Sequence, residues 1–313
     1  MNISFFTRSI PTLGLVMTSI GAAFATPAPA LAEQESAQAT PEATDMTDVD
    51  PALWIVQDED TTIYLFGTLH LLRPKLSWFD EAVRDAFDAS DELVLEMIEP
   101  DPAKMQEIIT SRAIDFNNPL RGKLDETEKA TFDRAMTAIG MPVAAFDRME
   151  PWFAAINLGV LPLVQAGYDL NSGVEKVLIT QAKADGKTLV ELESAEQQIG
   201  FLDNLPEKTQ INYLISTAAG VDSVAEQSDA MITSWGDADI DALAAIMHAG
   251  FADPLLYDTM LTNRNIDWAG WIKTRLDTPG TVFIAVGAGH LAGDKSVQQQ
   301  LARLNITTRR VEY

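Results

Sequence analysis

The sequence contains no cysteine and only three histidines in 313 residues. The lack of cysteine excludes disulfide bonds, a cysteine nucleophile and a lipid anchor attached through a cysteine. A nucleophilic serine of the α/β-hydrolase type has no support, because the sequence has no G-x-S-x-G motif. No Walker sequence occurs either. A reactive site in this chain would therefore depend on its carboxylates, its few histidines and its arginines.

Basic side chains are scarce. Lysine and arginine together number 22 against 46 aspartates and glutamates, and the formal net charge is −24. Nucleic acids and anionic membrane surfaces attract proteins through positive charge. We therefore expect no nucleic-acid partner and no binding to anionic lipid.

Long hydrophobic runs are absent except near the beginning of the chain. Residues 1–32 are predicted to be a secretory signal peptide, because Arg8 is followed by an apolar run and then by the A-x-A-like site Ala30-Leu31-Ala32. This predicts a periplasmic or secreted protein with no membrane span after cleavage. Residues 33–50 have the composition of a disordered leader, and residues 51–313 are predicted to form one domain.

The apolar pattern of this domain predicts an α/β fold. The segments 53–56 and 63–66 flank polar residues and predict a β-hairpin. Residues 102–276 are predicted to be a largely helical insertion, interrupted by one strand that ends near Glu193. We expect a central mixed sheet built from both ends of the chain. The other predicted sheet elements are a helix over 78–89, strands over 92–97 and 281–286, a helix over 296–304 and a strand over 306–311.

Two short segments share the pattern Gly-x-x-His, and each follows an apolar strand. The first is Gly67-Thr68-Leu69-His70, and the second is Gly287-Ala288-Gly289-His290. Open α/β sheets place their sites at the carboxyl ends of strands. If both strands join one sheet with right-handed crossovers, the two histidines lie at the same edge. One such histidine is adequately explained by capping a strand, whereas two in matched contexts favour a shared site.

Histidines and carboxylates together are ligands for Zn, Mn, Co or Fe(II). Glu96 and Glu193 each close a predicted strand and could reach the two histidines. The alternatives are a solvated strand-end carboxylate for Glu96 and a helix-start acid for Glu193. Arg264 could orient a carboxylate or stabilise an oxyanion, or it could form an ordinary surface ion pair. His248 precedes Gly250 and is predicted to cap a helix.

At these residues the sequence resembles the TraB/GumN family, in its secreted bacterial branch. The resemblance extends over nearly the whole predicted domain, and the family is similar to the Tiki metalloproteases and more distantly to erythromycin esterases and the haem-binding ChaN proteins. The matching segments are 64–72, 93–96, 186–197, 235–237, 263–265 and 286–293.

This resemblance implies a divalent-metal site, with His70, Glu96 and His290 as ligands and Glu193 and Arg264 as catalytic residues. It implies a metal-dependent hydrolase of the periplasm that acts on a peptide or small-molecule substrate. Glu193 or Glu96 would be the general base. Arg264 would stabilise an oxyanion or bind a substrate carboxylate.

Two other functions are consistent with the same resemblance. One is a periplasmic protein that binds metal or haem without turnover, and the other is an accessory component of envelope polysaccharide production. The chain also departs from the family at Glu175, where relatives commonly have Asp, and at Asn305, where a glycine often precedes the last strand. Lys295 and Ser296 stand where a glycine is usual after the second motif.

Overall fold

The computed structural model describes residues 46–169, 171–251 and 253–312. The predicted signal peptide, and the predicted leader up to residue 45, lie outside the described residues. The strands of the described part are β1 (Thr47–Asp48), β2 (Leu53–Gln57), β3 (Thr61–Thr68), β4 (Leu76–Ser77), β5 (Glu92–Leu95), β6 (Thr188–Glu191), β7 (Gly280–Gly287) and β8 (Arg309–Arg310).

Helices make up most of the remainder. They are α1 (Glu81–Asp88), α2 (Pro102–Arg112), α3 (Leu120–Lys123), α4 (Glu126–Ala138), α5 (Pro151–Gln165), α6 (Val174–Ala184), α7 (Ala195–Asp203), α8 (Glu207–Gly220), α9 (Val224–Gly236), α10 (Ile240–Ala249), α11 (Pro254–Tyr257), α12 (Asn263–Arg275) and α13 (Val297–Arg303). A π-helical segment, Asp258–Thr262, leads directly into α12. None of the helices in the described ranges is long and apolar enough to cross a bilayer.

A six-stranded mixed sheet organises the domain, which confirms the predicted α/β class. Its strand order is β6-β5-β7-β3-β2-β8. The neighbours β6, β5, β7 and β3 run parallel, whereas β2 is antiparallel to both β3 and β8. The predicted hairpin is the β2–β3 pair, with Leu53 opposite Phe66. The strand from the end of the chain, β7, lies between β5 and β3, so both ends of the chain build the sheet.

Helices cover both faces of this sheet. One face packs on α1, α6, α9 and α10 through a cluster that includes Phe66, Phe283 and Trp235. The opposite face packs on α12 and α13 through Ile284, Trp268 and Leu301. A third apolar cluster joins α2, α4, α5, α7 and α8 into a helical lobe. The segment 102–276 supplies this lobe and also the edge strand β6.

Local sequence signals account for several helix boundaries. Asp125 and Glu128 form a capping box at the start of α4, and Ser194 and Gln197 form a second one at the start of α7. Asn305 adopts a φ of +62°, a left-handed conformation that asparagine tolerates better than most residues. This explains how the position usually held by glycine accepts Asn305.

Several predicted boundaries differ from the structure, and the helix predicted over 78–89 is Glu81–Asp88. The predicted strand over 92–97 ends at Leu95, and the predicted last strand pairs only through Arg309–Arg310. The end of the predicted leader, residues 46–50, belongs to the fold, because β1 pairs in parallel with β4 and the amide of Asp50 donates to Gly236. These backbone hydrogen bonds order residues 46–50, although the composition of the segment predicts disorder.

Candidate functional site

The two Gly-x-x-His segments meet at the carboxyl ends of β3 and β7. These strands are in parallel register, with Thr68 opposite Gly287. His70 and His290 line one cavity of about 40 Å³, together with Glu96. One buried water needs roughly 10–15 Å³ of such a cavity, so there is space for a few water molecules or for an ion of similar size. Much of its wall is apolar, including Leu69, Leu71, Leu163, Met231, Ile246, Met247 and Leu261.

Glu96 follows directly after β5 and is buried beneath the second Gly-x-x-His segment. Its Oε1 accepts a hydrogen bond of 2.6 Å from the amide of Gly287. A Cβ at position 287 would lie 3.0 Å from the same oxygen, so glycine permits this close approach. Its Oε2 accepts from Arg264 at 2.6 Å and from Gln198 at 3.1 Å. Burial alone would raise the pKa of Glu96, but Arg264 foremost, together with the two histidines and the amide of Gly287, outweighs it, and the pKa falls to about 2.

Arg264 and Glu193 form the buried centre of the network behind Glu96. Nε and Nη2 of Arg264 donate to the two oxygens of Glu193, each at 2.8 Å. The indole of Trp268, one turn along α12, donates to Glu193 at 3.0 Å. Burial raises the pKa of Glu193 above its ordinary value, although Arg264 opposes this change. One guanidinium thus pairs with two carboxylates, and all three side chains are buried.

The position of Glu193 follows from the sheet. The amide of Glu193 donates to the carbonyl of Glu96 at 2.9 Å, which continues the parallel pairing of β5 and β6 beyond their ends. Arg264 lies just after the π-helical segment, and its Nη1 donates to the carbonyl of Met260 at 3.1 Å. Short π-helical segments are frequent at functional sites.

His290 is completely buried, and its partners define its tautomer. Its Nδ1 is 2.6 Å from Oδ1 of Asn265, whose Nδ2 donates to the carbonyl of Lys295 at 2.8 Å. Its Nε2 is 3.1 Å from Nη1 of Arg264, which can only donate. His290 therefore carries its proton on Nδ1. Burial and the charge of Arg264 lower the pKa of His290 to about 3, so the ring is neutral.

His70 is oriented by a different group. Its Nδ1 lies 2.5 Å from Oε1 of Glu175, in the first turn of α6. The hydroxyl of Thr68, within the same Gly-x-x-His segment, donates to this oxygen at 2.5 Å. The two histidines of the cavity thus have Nδ1 partners of different charge, a carboxylate for His70 and an amide oxygen for His290.

The structure separates the five predicted site residues into two groups. His70, Glu96 and His290 line the cavity, whereas Glu193 and Arg264 lie behind Glu96 and His290 and do not line it. His248 stands apart from the cavity wall, near the end of α10 as predicted, and its Nε2 is 3.0 Å from the hydroxyl of Tyr257.

The donor set fits a divalent metal in its chemistry. Metal ligation needs a neutral imidazole and an ionised carboxylate, and the pKa values of His290 and Glu96 supply both forms. Each histidine also has an acceptor at Nδ1, as metal-binding histidines commonly do. Within the described ranges, however, no group of three or more His, Asp or Glu side chains is close enough to hold an ion. Arg264 is hydrogen-bonded to both His290 and Glu96, and ligation would require it to release them.

Several residues of this site were not assigned a role from the sequence. Asn265 adjoins Arg264, and Trp268 is one turn further along α12. Gln198 follows the capping box of α7, and Glu175 was noted only as a departure from the family. One signal could have revealed Asn265, because a polar side chain beside a buried arginine needs a partner of its own.

The fold and the site define an α/β protein with paired histidines and a buried carboxylate at the carboxyl edge of its sheet. The model of the TraB/PrgY/gumN family matches residues 52–310. The chain therefore belongs to the TraB/PrgY/gumN family.

Curated relatives cover most of this chain. The uncharacterized protein YbaP of Escherichia coli (strain K12) is 25% identical over 255 residues, which are 80% of this chain and 92% of YbaP. The YbaP of Shigella flexneri matches to the same extent. An uncharacterized protein of Treponema pallidum (strain Nichols) is 21% identical over 266 residues, 78% of each chain. No solved structure matches the chain significantly.

Proposed function

We propose that this protein is a divalent-metal-dependent hydrolase of the periplasm or the extracellular space, acting on a peptide or small-molecule substrate. The observation that carries the proposal is the cavity lined by His70, Glu96 and His290. Glu96 is ionised and His290 is neutral at physiological pH, which are the forms that bind a metal. The small volume favours a metal ion with water over a porphyrin, so haem binding gains no support.

His70, Glu96 and His290 would hold Mn, Co, Zn or Fe. A divalent ion bound there supplies a water of lowered pKa and a Lewis acid for the substrate carbonyl. The chain's own part is to keep His290 neutral, to surround the site with apolar side chains and to orient the carboxylate. The apolar wall of the cavity and the hydrogen bonds to Nδ1 of both histidines serve these purposes.

Arg264 and Glu193 fit positioning roles. Arg264 contacts Glu96 and His290, and Glu193 holds Arg264 through two hydrogen bonds. Neither lines the cavity, so neither contacts a substrate there in this arrangement. The low pKa of Glu96 suits a ligand better than a proton acceptor. The geometry therefore gives no support to Glu193 or Glu96 as the general base, and none to Arg264 as an oxyanion donor.

Elemental analysis of the untagged protein tests the proposal. The samples are the wild type, His70→Ala, His290→Ala and His248→Ala, each after incubation with Mn, Co, Zn or Fe and removal of free ion. We expect near-stoichiometric metal in the wild type and in His248→Ala, and loss in the other two. The third histidine is the matched control because it does not line the cavity.

The ion that binds then defines a substrate panel of peptides and esters. Hydrolysis that depends on this ion and is abolished in His70→Ala and His290→Ala would support the proposed activity. An absence of metal in every sample would contradict the metal site. Bound metal without turnover on a broad panel would favour a metal-binding protein that is not an enzyme.

A further inference from the structure

A single carboxylate oxygen joins the first Gly-x-x-His segment to helix α6. Oε1 of Glu175 lies 2.5 Å from Nδ1 of His70 and accepts a hydrogen bond of 2.5 Å from the hydroxyl of Thr68. The side chains of His70 and Glu175 are only 11% and 18% exposed. A charge-assisted hydrogen bond in such a partly buried place is stronger than one between neutral groups. Glu175 is therefore tightly coupled to the orientation of His70.

Backbone contacts bring Glu175 to this position. The amide of Val174 donates to the carbonyl of Leu69 at 3.0 Å, which docks the start of α6 on the segment that carries His70. A Cβ at residue 173 would lie 2.3 Å from the carbonyl oxygen of His70, so only glycine allows the helix to approach this closely. The distance between Glu175 and His70 is thus set by the main chain of both segments.

We propose that Glu175 is a positioning residue that fixes His70 in the Nδ1-protonated tautomer, so that Nε2 carries the lone pair. An ionised carboxylate can only accept, and so Nδ1 must donate. Asn265 places the proton of His290 on the same nitrogen through a neutral oxygen. A carboxylate partner raises the basicity of a ligating imidazole more than an amide does. The Nε2 atom of His70 is then the stronger electron-pair donor to a metal ion of the two histidines.

A purely structural role for Glu175 makes different predictions. Glu175 lies in the first turn of α6, where any acidic side chain interacts favourably with the helix dipole. In that case, its replacement would lower thermal stability and leave the tautomer of His70 unchanged. The imidazole nitrogens therefore report the proposed role directly, whereas a melting temperature does not.

Long-range ¹H–¹⁵N NMR of the imidazole rings is the first experiment. The chain has three histidines, so the spectrum of the metal-free protein contains three ring systems, which His70→Ala and His248→Ala assign. We expect the wild type to show His70 protonated at Nδ1. In Glu175→Leu, His70 shifts toward the Nε2-protonated form, and in Glu175→Gln the amide oxygen retains part of the preference. Asp185→Asn removes a carboxylate at the other end of α6 and should leave His70 unchanged.

Titration with Co²⁺ is the second experiment, and its interpretation rests on the proposed function. Loss of such a carboxylate partner typically weakens metal binding by about 10- to 100-fold. We expect this loss in Glu175→Leu, a smaller one in Glu175→Gln and none in Asp185→Asn. An unchanged His70 tautomer in both Glu175 variants would overturn the inference. If the wild type binds no Co²⁺ but Glu175→Leu shows the expected shift in the His70 tautomer, the proposed function is contradicted and the role of Glu175 remains supported.

Discussion

Arg264 binds both carboxylate oxygens of Glu193 through Nε and Nη2, and the same Nη2 also reaches Glu96. All three side chains are buried, with 2% of Arg264 exposed. Buried ion pairs add little net stability compared with well-packed apolar groups, but loss of one partner leaves a buried charge without compensation. Arg264 is therefore the residue on which the folded state of the site depends most.

We predict that Arg264→Met lowers the free energy of unfolding by about 3–5 kcal/mol, because Glu96 and Glu193 are left as uncompensated buried charges. Urea denaturation of the full chain provides the measurement. Arg84→Met is the control, since Arg84 pairs with Asp88 on an exposed helix surface. Its loss should have a far smaller effect, because exposed ion pairs contribute little to stability. Equal losses in the two variants would contradict the central role of Arg264.

The pH dependence of stability should contain a contribution from His290. Its pKa in the folded protein is about 3, against an ordinary value of 6.5. Between these values the unfolded chain binds the proton and the folded chain does not, so stability is full above pH 6.5 and is lost as the pH falls toward 3. One such proton contributes a slope of about 1.36 kcal/mol per pH unit.

His290→Gln removes this titration. As the pH falls from 6.5 to 4.5, we expect the free energy of unfolding of this variant to decrease less steeply than that of the wild type. The difference between the two slopes should be close to the value for one proton. Glu96, with an ordinary pKa of 4.5 and a folded pKa of about 2, contributes only near the lower end of this window, and it is present in both proteins. Denaturation series at matched pH values provide the comparison. Parallel curves would show that His290 is protonated in the folded protein.

Asn265 should be required for the orientation of His290. Asn265→Ala leaves the buried Nδ1 proton of His290 without its acceptor, whereas the carbonyl of Lys295 keeps the hydrogen bond from Gln300. We expect a loss of about 1–3 kcal/mol per unsatisfied buried group. Asn171→Ala, at an exposed loop position, should be nearly neutral. A stable Asn265→Ala protein with an unchanged His290 ring spectrum would contradict the assigned contact.

The close contact at Gly173 makes a steric prediction. In Gly173→Ala the new Cβ would lie 2.3 Å from the carbonyl oxygen of His70, so the helix and the loop must separate. We expect a loss of about 1–3 kcal/mol from this overpacking. Gly270→Ala, in the middle of α12 with open space around it, should instead gain about 0.5–1 kcal/mol. Thermal unfolding of the two variants should therefore shift in opposite directions.

The sheet could be predicted from the sequence because its central strands are continuous apolar runs. The segment 281–286 and the hairpin have no competing helical pattern, and the structure places them in one sheet as predicted. The glycines of the two Gly-x-x-His segments also gave a local reason to expect their strands at one edge. Because histidines and carboxylates together are common metal ligands, Glu96 and Glu193 could also be predicted as candidate site residues.

The organisation of the site behind the cavity could not be predicted in the same way. Arg264 and Asn265 reach the histidines from a helix whose own periodicity only indicates burial. Their contacts depend on the π-helical segment before α12 and on how α12 crosses the sheet, which are properties of tertiary packing. The role of Glu175 was not predicted, because its contact with His70 results from backbone docking around Gly173. No pattern of side-chain types in the sequence indicates this contact.

The position of β7 has a consequence for how the protein is made. This strand, Gly280–Gly287, inserts between β3 and β5, which are about 200 residues earlier in the chain. A nascent chain that has not yet emerged beyond residue 287 therefore exposes two unpaired strand edges, and such edges favour aggregation. His70, on the segment after β3, and Glu96, after β5, are joined in one sheet only through β7. The central sheet and the site at its edge can therefore be completed only after β7 has been synthesised.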